Sequence, residues 1–309
     1  MPVIPSSFKA PWYLANGHVQ TILPVLLPRR FQHAPIRERL ELQDGDFLEL
    51  DWSRRGHRRV AVITHGLEGS TNGGYIRGMA SAMNEAGWDA MAWNFRGCGA
   101  ELNRLLRFYH SGETGDLRQI IAHIVNDYES ISLIGFSLGG NITLKYLGEA
   151  PPDQKIVAAA AVSVPVDLAS SARILDERLS NRLYLRRFLQ SLITKVEAKA
   201  RHFPEELNVD GIRTIRSFQE FDNRYTAPMH GFRDAIEYWE RASSKPHLGR
   251  IGVRTLLLSA RNDPFLTPEC FPVEAATSNT NLYLEAPESG GHVGFLDLAN
   301  GLKPWSERR

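Results

Sequence analysis

The sequence has little cysteine, no long apolar run and no excess of either charge. Cys98 and Cys270 are the only two cysteines in 309 residues. They exclude a disulfide scaffold and a cysteine-based zinc cluster, and they suit a reducing compartment. The longest apolar run of note, Val157 to Val166, falls well short of the roughly 20 residues that a membrane-spanning helix needs. Thirty-six basic residues stand against 35 acidic ones, a formal net charge of +1. So even a balance gives no global pull toward nucleic acid. No histidine pair has H-x-x-x-H or H-E-x-x-H spacing, so no metal is expected. Arg96-Gly97-Cys98-Gly99 lacks the spacing of a dinucleotide fingerprint and reads as a turn, so no cofactor is expected either. Pro2, Pro5 and Pro11 interrupt the N-terminus, so no cleaved secretory signal is expected. The expected location is cytoplasmic.

Residues 1–37 lack acid altogether, and Glu38 is the first. Lys9, Arg29, Arg30 and Arg37 are interleaved there with Phe8, Trp12, Leu14, Ile22, Leu23, Leu26 and Leu27. One reading is a surface arm that touches anionic lipid. The other is an arm packed on its own domain. Pro11, Pro24 and Pro28 spoil a continuous amphipathic helix and favour the packed arm.

Beyond the arm the pattern alternates. Hydrophobic residues make up 43% of the chain, enough for a substantial core. Strands are predicted at Phe47–Trp52, Val60–Thr64, Asp89–Asn94, Ile131–Ile134, Val157–Val164, Thr255–Ser259 and Asn281–Leu284. Helices are predicted at Tyr75–Ala86, Asp116–Tyr128 and Asn141–Leu147, with Ser111 or Thr114 as the cap of the second. Short apolar strands alternating with helices imply a mostly parallel sheet covered on both faces. About Leu168 to Leu248 holds no good strand. Leu179, Leu183, Phe188, Leu189, Leu192, Ile193 and Val196 mark a long helix, and Phe232, Ala235, Ile236 and Trp239 a second. This reads as a helical cap inserted between two strands, over the strand ends where open α/β sheets bind ligands. Arg178, Arg182 and Arg186 are spaced to share one helix face, an anion site or a solvated basic surface. The whole chain, 1–309, is expected to form one domain.

The informative signal is Gly135-Phe136-Ser137-Leu138-Gly139, between a predicted strand and a predicted helix. This is the G-x-S-x-G nucleophile elbow in its strand–turn–helix context. The tight turn leaves no room for side chains two residues either side of the serine. A serine nucleophile needs a base and an orienting acid, in the chain order Ser, acid, His. Asp263 follows one late strand, and His292, in Gly-Gly-His-Val-Gly, follows the last. Read alone, Asp263-Pro264 is also a turn or helix start, and His292 a loop histidine. Acyl transfer develops an oxyanion, for which the backbone amides of Leu138 and Leu67 are the candidates. His65 is expected to turn its loop and bond locally.

Several stretches together carry a family resemblance. They are Asn16–Thr21 (NGHVQT), Thr64–Gly69 (THGLEG), Trp93–Cys98 (WNFRGC), Phe108–Thr114 (FYHSGET), Gly135–Asn141 (GFSLGGN), Asp263–Phe265 and Gly290–Phe295 (GGHVGF). The chain resembles an α/β-hydrolase of the YheT-type family, bacterial relatives of the eukaryotic α/β-hydrolase-domain esterases and phospholipases. The resemblance implies an α/β-hydrolase fold and a triad of Ser137, Asp263 and His292. Those eukaryotic relatives carry a membrane anchor. None is expected here, so a phospholipid is not the expected substrate. The expectation is a serine hydrolase of short- to medium-chain carboxylic esters, with a small-molecule ester as its partner. An acyltransferase or thioesterase using the same residues, or a non-catalytic or peripheral membrane protein on this fold, are the alternatives.

Overall fold

The computed structural model describes residues 3–27, 34–299, 301 and 303–309. Nine strands form one sheet: β1 (Val3–Ile4), β2 (Ile36–Glu41), β3 (Phe47–Ser53), β4 (Arg59–Thr64), β5 (Asp89–Asn94), β6 (Ser130–Phe136), β7 (Ile156–Val162), β8 (Arg254–Leu258) and β9 (Leu282–Glu285). Their order is β1-β9-β8-β7-β6-β4-β5-β3-β2. Among them only β3 is reversed, antiparallel to both β2 and β5, and every other pair is parallel. The predicted α/β-hydrolase class with its mostly parallel sheet is therefore the observed one. Strands β4, β5 and β6 are buried on both faces along nearly their whole length. Alternate residues of β4 supply the two cores: Val60 and Val62 on one face, Ala61 and Ile63 on the other.

Helices α1 (Gly17–Leu26), α2 (Gly74–Glu85), α3 (Thr114–Ile124) and α4 (Leu138–Glu149) precede β7. From β4 the chain passes through α2 to β5, then returns through α3 to β6 on the other side of β4. The strand order thus reverses at β4, and ligands of open sheets bind at such a point. The loops leaving β4 and β6 meet there.

Between β7 and β8 every described element is helical. Besides three short 3₁₀ turns, these are α5 (Leu168–Glu177), α6 (Arg182–Ala200), α7 (Phe218–Phe221), a π turn (Asp222–Thr226), α8 (Ala227–Met229) and α9 (Ala235–Ala242). Two expectations fail within this cap. Arg178 lies in the break between α5 and α6, so Arg178, Arg182 and Arg186 do not share a helix, and all three are exposed. Leu179 and Leu183 also face outward, because α6 buries the stripe Leu185, Leu189, Ile193 and Val196 instead.

The arm differs from its reading too. Ile36 and Arg37 belong to β2, where Arg37 pairs with Glu49 and Asp51, so the arm ends before residue 36. Arg29 and Arg30 lie outside the described residues. Asn16 caps α1 by accepting from the amides of His18 and Val19. Pro24 sits inside α1 and removes the amide that would bond the Gln20 carbonyl. At that carbonyl the backbone of Gly294 closes in: a Cβ on Gly294 would stand 2.1 Å from it. Tertiary packing therefore tolerates the proline that argued against a helix. The arm is packed, with Phe8 and Gln20 buried, although Trp12, Val25 and Leu26 remain exposed. Among the described residues no helix is long and apolar enough to cross a membrane.

Candidate active site

The Ser137 turn is dictated by close approach. Ser137 has φ +52°, a left-handed conformation that a non-glycine residue adopts only under constraint. Its amide donates to the Val162 carbonyl at 2.8 Å, and its carbonyl accepts from Asn141, starting α4. A Cβ on Gly135 would lie 2.4 Å from the Gly139 carbonyl oxygen, and one on Gly139 would lie 2.4 Å from that of His65. Neither contact can form without displacing the serine.

Three side chains from three strand ends meet in one line. Asp263 Oδ2 accepts from His292 Nδ1 at 2.8 Å. His292 Nε2 lies 2.9 Å from Ser137 Oγ. A carboxylate can only accept, so Nδ1 carries the proton and Nε2 is left to take the serine hydroxyl's hydrogen bond. The Phe265 amide donates to Asp263 Oδ1 at 2.9 Å and fixes the carboxylate's plane. The Asp263 side chain is fully buried. Phe265 also packs on the imidazole, with ring centroids 4.3 Å apart.

The loop that carries His292 is braced by the arm, a role invisible in the sequence reading. Thr21 Oγ1 accepts from the His292 amide at 2.9 Å. Buried Gln20 bonds both the amide and the carbonyl of Leu296. Asn262 donates to the Ala15 carbonyl and accepts from the Gly291 amide, joining the arm, the Asp263 loop and the His292 loop. Gly291 is forced by this seat: its φ is +60°, and a Cβ would lie 2.5 Å from the Gly17 carbonyl oxygen. Val293, β-branched, is held at φ +62° while its amide donates to Ser163 Oγ. Strain of that kind persists only where the surroundings impose it.

The loop after β4 carries Leu67. Its neighbours' amides are occupied: Gly66 donates to the Tyr75 hydroxyl and Glu68 to the Tyr109 hydroxyl. Among the described residues the amides of Leu67 and Leu138 have no acceptor. Both residues line the cavity beside Ser137. His65 Nε2 accepts from the Phe95 amide, so its Nδ1 donates to the Gly66 carbonyl. Burial pushes its pKa down to about 4, which keeps it neutral. It is a loop strut, as its sequence reading expects.

Glu68, at φ +51°, ties this loop to the cap. Its carboxylate accepts from Lys195 at 2.6 Å and Ser191 at 2.5 Å, both on α6, and from Tyr109 at 2.7 Å. Lys195 also donates to Cys98 Sγ at 3.0 Å. Burial works against the charge on Glu68, but Lys195, Ser191 and Tyr109 together outweigh it and hold the carboxyl below its ordinary range. Nothing in the spacing of Glu68 and Lys195 marks them as partners 127 residues apart.

Ser137 and His292 open into a cavity of about 110 Å³. Its walls are mostly apolar, with Leu168, Leu175, Phe188, Leu192 and Phe218 from the cap. The Phe108–Thr114 stretch was expected to cap a helix with Ser111 or Thr114. In the structure Glu113 caps α3, while His110 and Ser111 line the cavity. Ser111 is drawn there by Tyr238 of the cap, which bonds both its amide and its hydroxyl. Among the described residues no cluster of His, Cys, Asp and Glu could hold a metal, and both cysteines are free thiols.

A parallel sheet with its serine at a sharp strand-to-helix turn, an imidazole and a carboxylate behind it, defines the α/β-hydrolase class. The model of the α/β hydrolase fold matches residues 61–298, and the chain belongs to that family. A relative is the protein YheT of Escherichia coli (strain K12), named as a candidate esterase: 36% identical, over 91% of this chain and 85% of its own. Human phospholipase ABHD3 is 29% identical over 96% of this chain and 75% of its own. Among solved structures, the Pyrococcus furiosus esterase Pf2001 superposes with a TM-score of 0.58 at 15% identity. That match covers 96% of this chain and 92% of the other, and it bears on the fold alone.

Proposed function

We propose that the protein is a serine hydrolase of carboxylic esters, acting on short- to medium-chain acyl groups through an acyl-enzyme on Ser137. The observation that carries this reading is the unbroken line from Asp263 through His292 to Ser137 Oγ, open to an apolar cavity. His292 Nε2 takes the hydroxyl proton as Oγ attacks the ester carbonyl. Asp263 holds the imidazole in the required tautomer and stabilises the imidazolium that forms. The amides of Leu67 and Leu138 receive the oxyanion, where fixed donors act without reorganising. The imidazolium then gives its proton to the departing alkoxide. Water, deprotonated by the same nitrogen, attacks the acyl-enzyme and releases the acid. The cavity's apolar lining suits an acyl chain, with its few polar groups gathered at the serine and in one wall.

The test is hydrolysis of p-nitrophenyl esters from acetate to palmitate by the wild type and Ser137→Ala. Turnover that peaks at one chain length and vanishes in the variant is expected, with fluorophosphonate labelling of Ser137. No turnover at any length, together with an inert serine, would overturn the reading.

A further inference from the structure

One buried carboxyl in the cavity wall takes no part in that chemistry. Asp222 lines the same cavity as Ser137 and is, among the described residues, the only acid that does. It opens the π turn Asp222–Thr226, where the Ala227 amide reaches back five residues to the Asp222 carbonyl. Such a bulge re-aims side chains and is frequent at functional sites. Here Phe221, Asp222 and Thr226 all face the cavity. Asp222 Oδ2 accepts from Trp239 Nε1 at 2.8 Å, and Oδ1 lies 2.6 Å from the Thr226 hydroxyl. Both partners are neutral, and among the described residues no cation pairs with the carboxyl. An asparagine could serve as a neutral tie here without the cost of burying an acid. Each carboxyl oxygen has a second lone pair that those two bonds do not use, and the residue lines the cavity.

Resting on the esterase reading above, we propose that Asp222 is a specificity-determining group and that the cavity takes an oxygenated acyl ester, with a hydroxyl on its chain. The chemistry of the carboxyl selects that group. Burial raises its pKa to about 7, so both protonation states are populated near neutrality. A ligand ammonium complements only the ionised form and a ligand carbonyl only the protonated one. A hydroxyl donates to the first and accepts from the second. An unsubstituted chain would leave the polar wall desolvated and unmatched, which selects against it.

The experiment compares p-nitrophenyl octanoate with its monohydroxylated positional isomers, using the wild type, Asp222→Asn and Asp222→Leu. Active-site concentration is normalised by fluorophosphonate titration. The wild type is expected to prefer one isomer over octanoate by about tenfold or more in kcat/KM, the worth of one hydrogen bond to such a group. Asp222→Asn should shrink that preference, and Asp222→Leu should reverse it in favour of octanoate. Asp222→Asn, which can keep both protein bonds, carries the test if the leucine variant does not fold. Hydrolysis of octanoate with no preference for any isomer, or a preference unchanged in both variants, would overturn this inference alone. Absence of turnover on every ester, with Ser137 unlabelled, would overturn the esterase reading with it.

Discussion

Replacing Lys195 by methionine isolates the tie between the cap and the loop after β4. The substitution keeps most of the side-chain volume and removes the cation that lies 2.6 Å from Glu68. The Glu68 side chain is only 6% exposed, so its charge cannot recover solvation from water. Losing one partner of a buried pair costs about 3–5 kcal/mol, because the other charge is left uncompensated. Ser191 and Tyr109 still donate to the carboxylate, which puts the expected loss near 3 kcal/mol, the lower end of that range. Denaturant and thermal unfolding read this loss directly. Adding Glu68→Gln removes the stranded charge, so the double variant should recover most of the stability.

The pH dependence follows from the same pair. In the wild type Lys195, with Ser191 and Tyr109, holds the Glu68 carboxyl below its ordinary range against burial. Its contribution is therefore full above the unfolded carboxyl's titration and is lost as pH falls through the lower folded value. In Lys195→Met burial dominates and raises that carboxyl, so the folded variant gains stability as Glu68 takes up a proton. The gap between wild type and variant should narrow as pH falls from 8 toward 5. Because Glu68 adjoins Leu67, kcat on a p-nitrophenyl ester should fall more than KM rises. A gap that stays constant with pH, or a double variant as unstable as the two singles summed, would refute the reasoning.

Three further outcomes are expected. Asp263→Asn should lower kcat by about 10⁴-fold with little change in thermal midpoint, since the amide stabilises the wrong imidazole tautomer; ester kinetics beside a melting curve check it, and near-normal kcat would count against Asp263 as the orienting acid. Gly291→Ala must push against the Gly17 carbonyl at 2.5 Å from a backbone at φ +60°, so both activity and thermal midpoint should drop; a variant with wild-type values would show that the arm is not seated there. Gln20→Ala strips partners from the Leu296 amide and carbonyl, with an expected loss of about 1–3 kcal/mol for each buried group left unsatisfied. Urea unfolding measures that loss, and water replacing the side chain without cost would appear as an unchanged midpoint.

The central strands and the elbow were legible because each is a local pattern. Asp89–Asn94 was read to the residue, and Val60–Thr64 to within one. β1, two apolar residues, is too short for a period to show, and β2 is charged along much of its length. Both are strands because a neighbour supplies the pairing. Helix α1 is hidden in the sequence by Pro24, yet it forms and packs against Gly294. Ser111 and Thr114 looked like helix caps because capping preference is local, whereas the Tyr238 hydroxyl that takes Ser111 lies 127 residues away.

The sequence by itself determined the class of the protein, because its determinants are short in range. Alternating apolar runs set the sheet, and Gly135, Ser137 and Gly139 set the turn within five residues. It also determined which residue types stand at the strand ends, since Asp263 and His292 each follow a strand that periodicity reveals. Only the tertiary structure decided how those ends are held and what they face. The arm that braces His292, the Glu68–Lys195 tie beneath Leu67, and the lone carboxyl of Asp222 in the cavity wall join residues far apart in the chain. Contacts of that kind depend on distances and burial, and no spacing along a sequence encodes them.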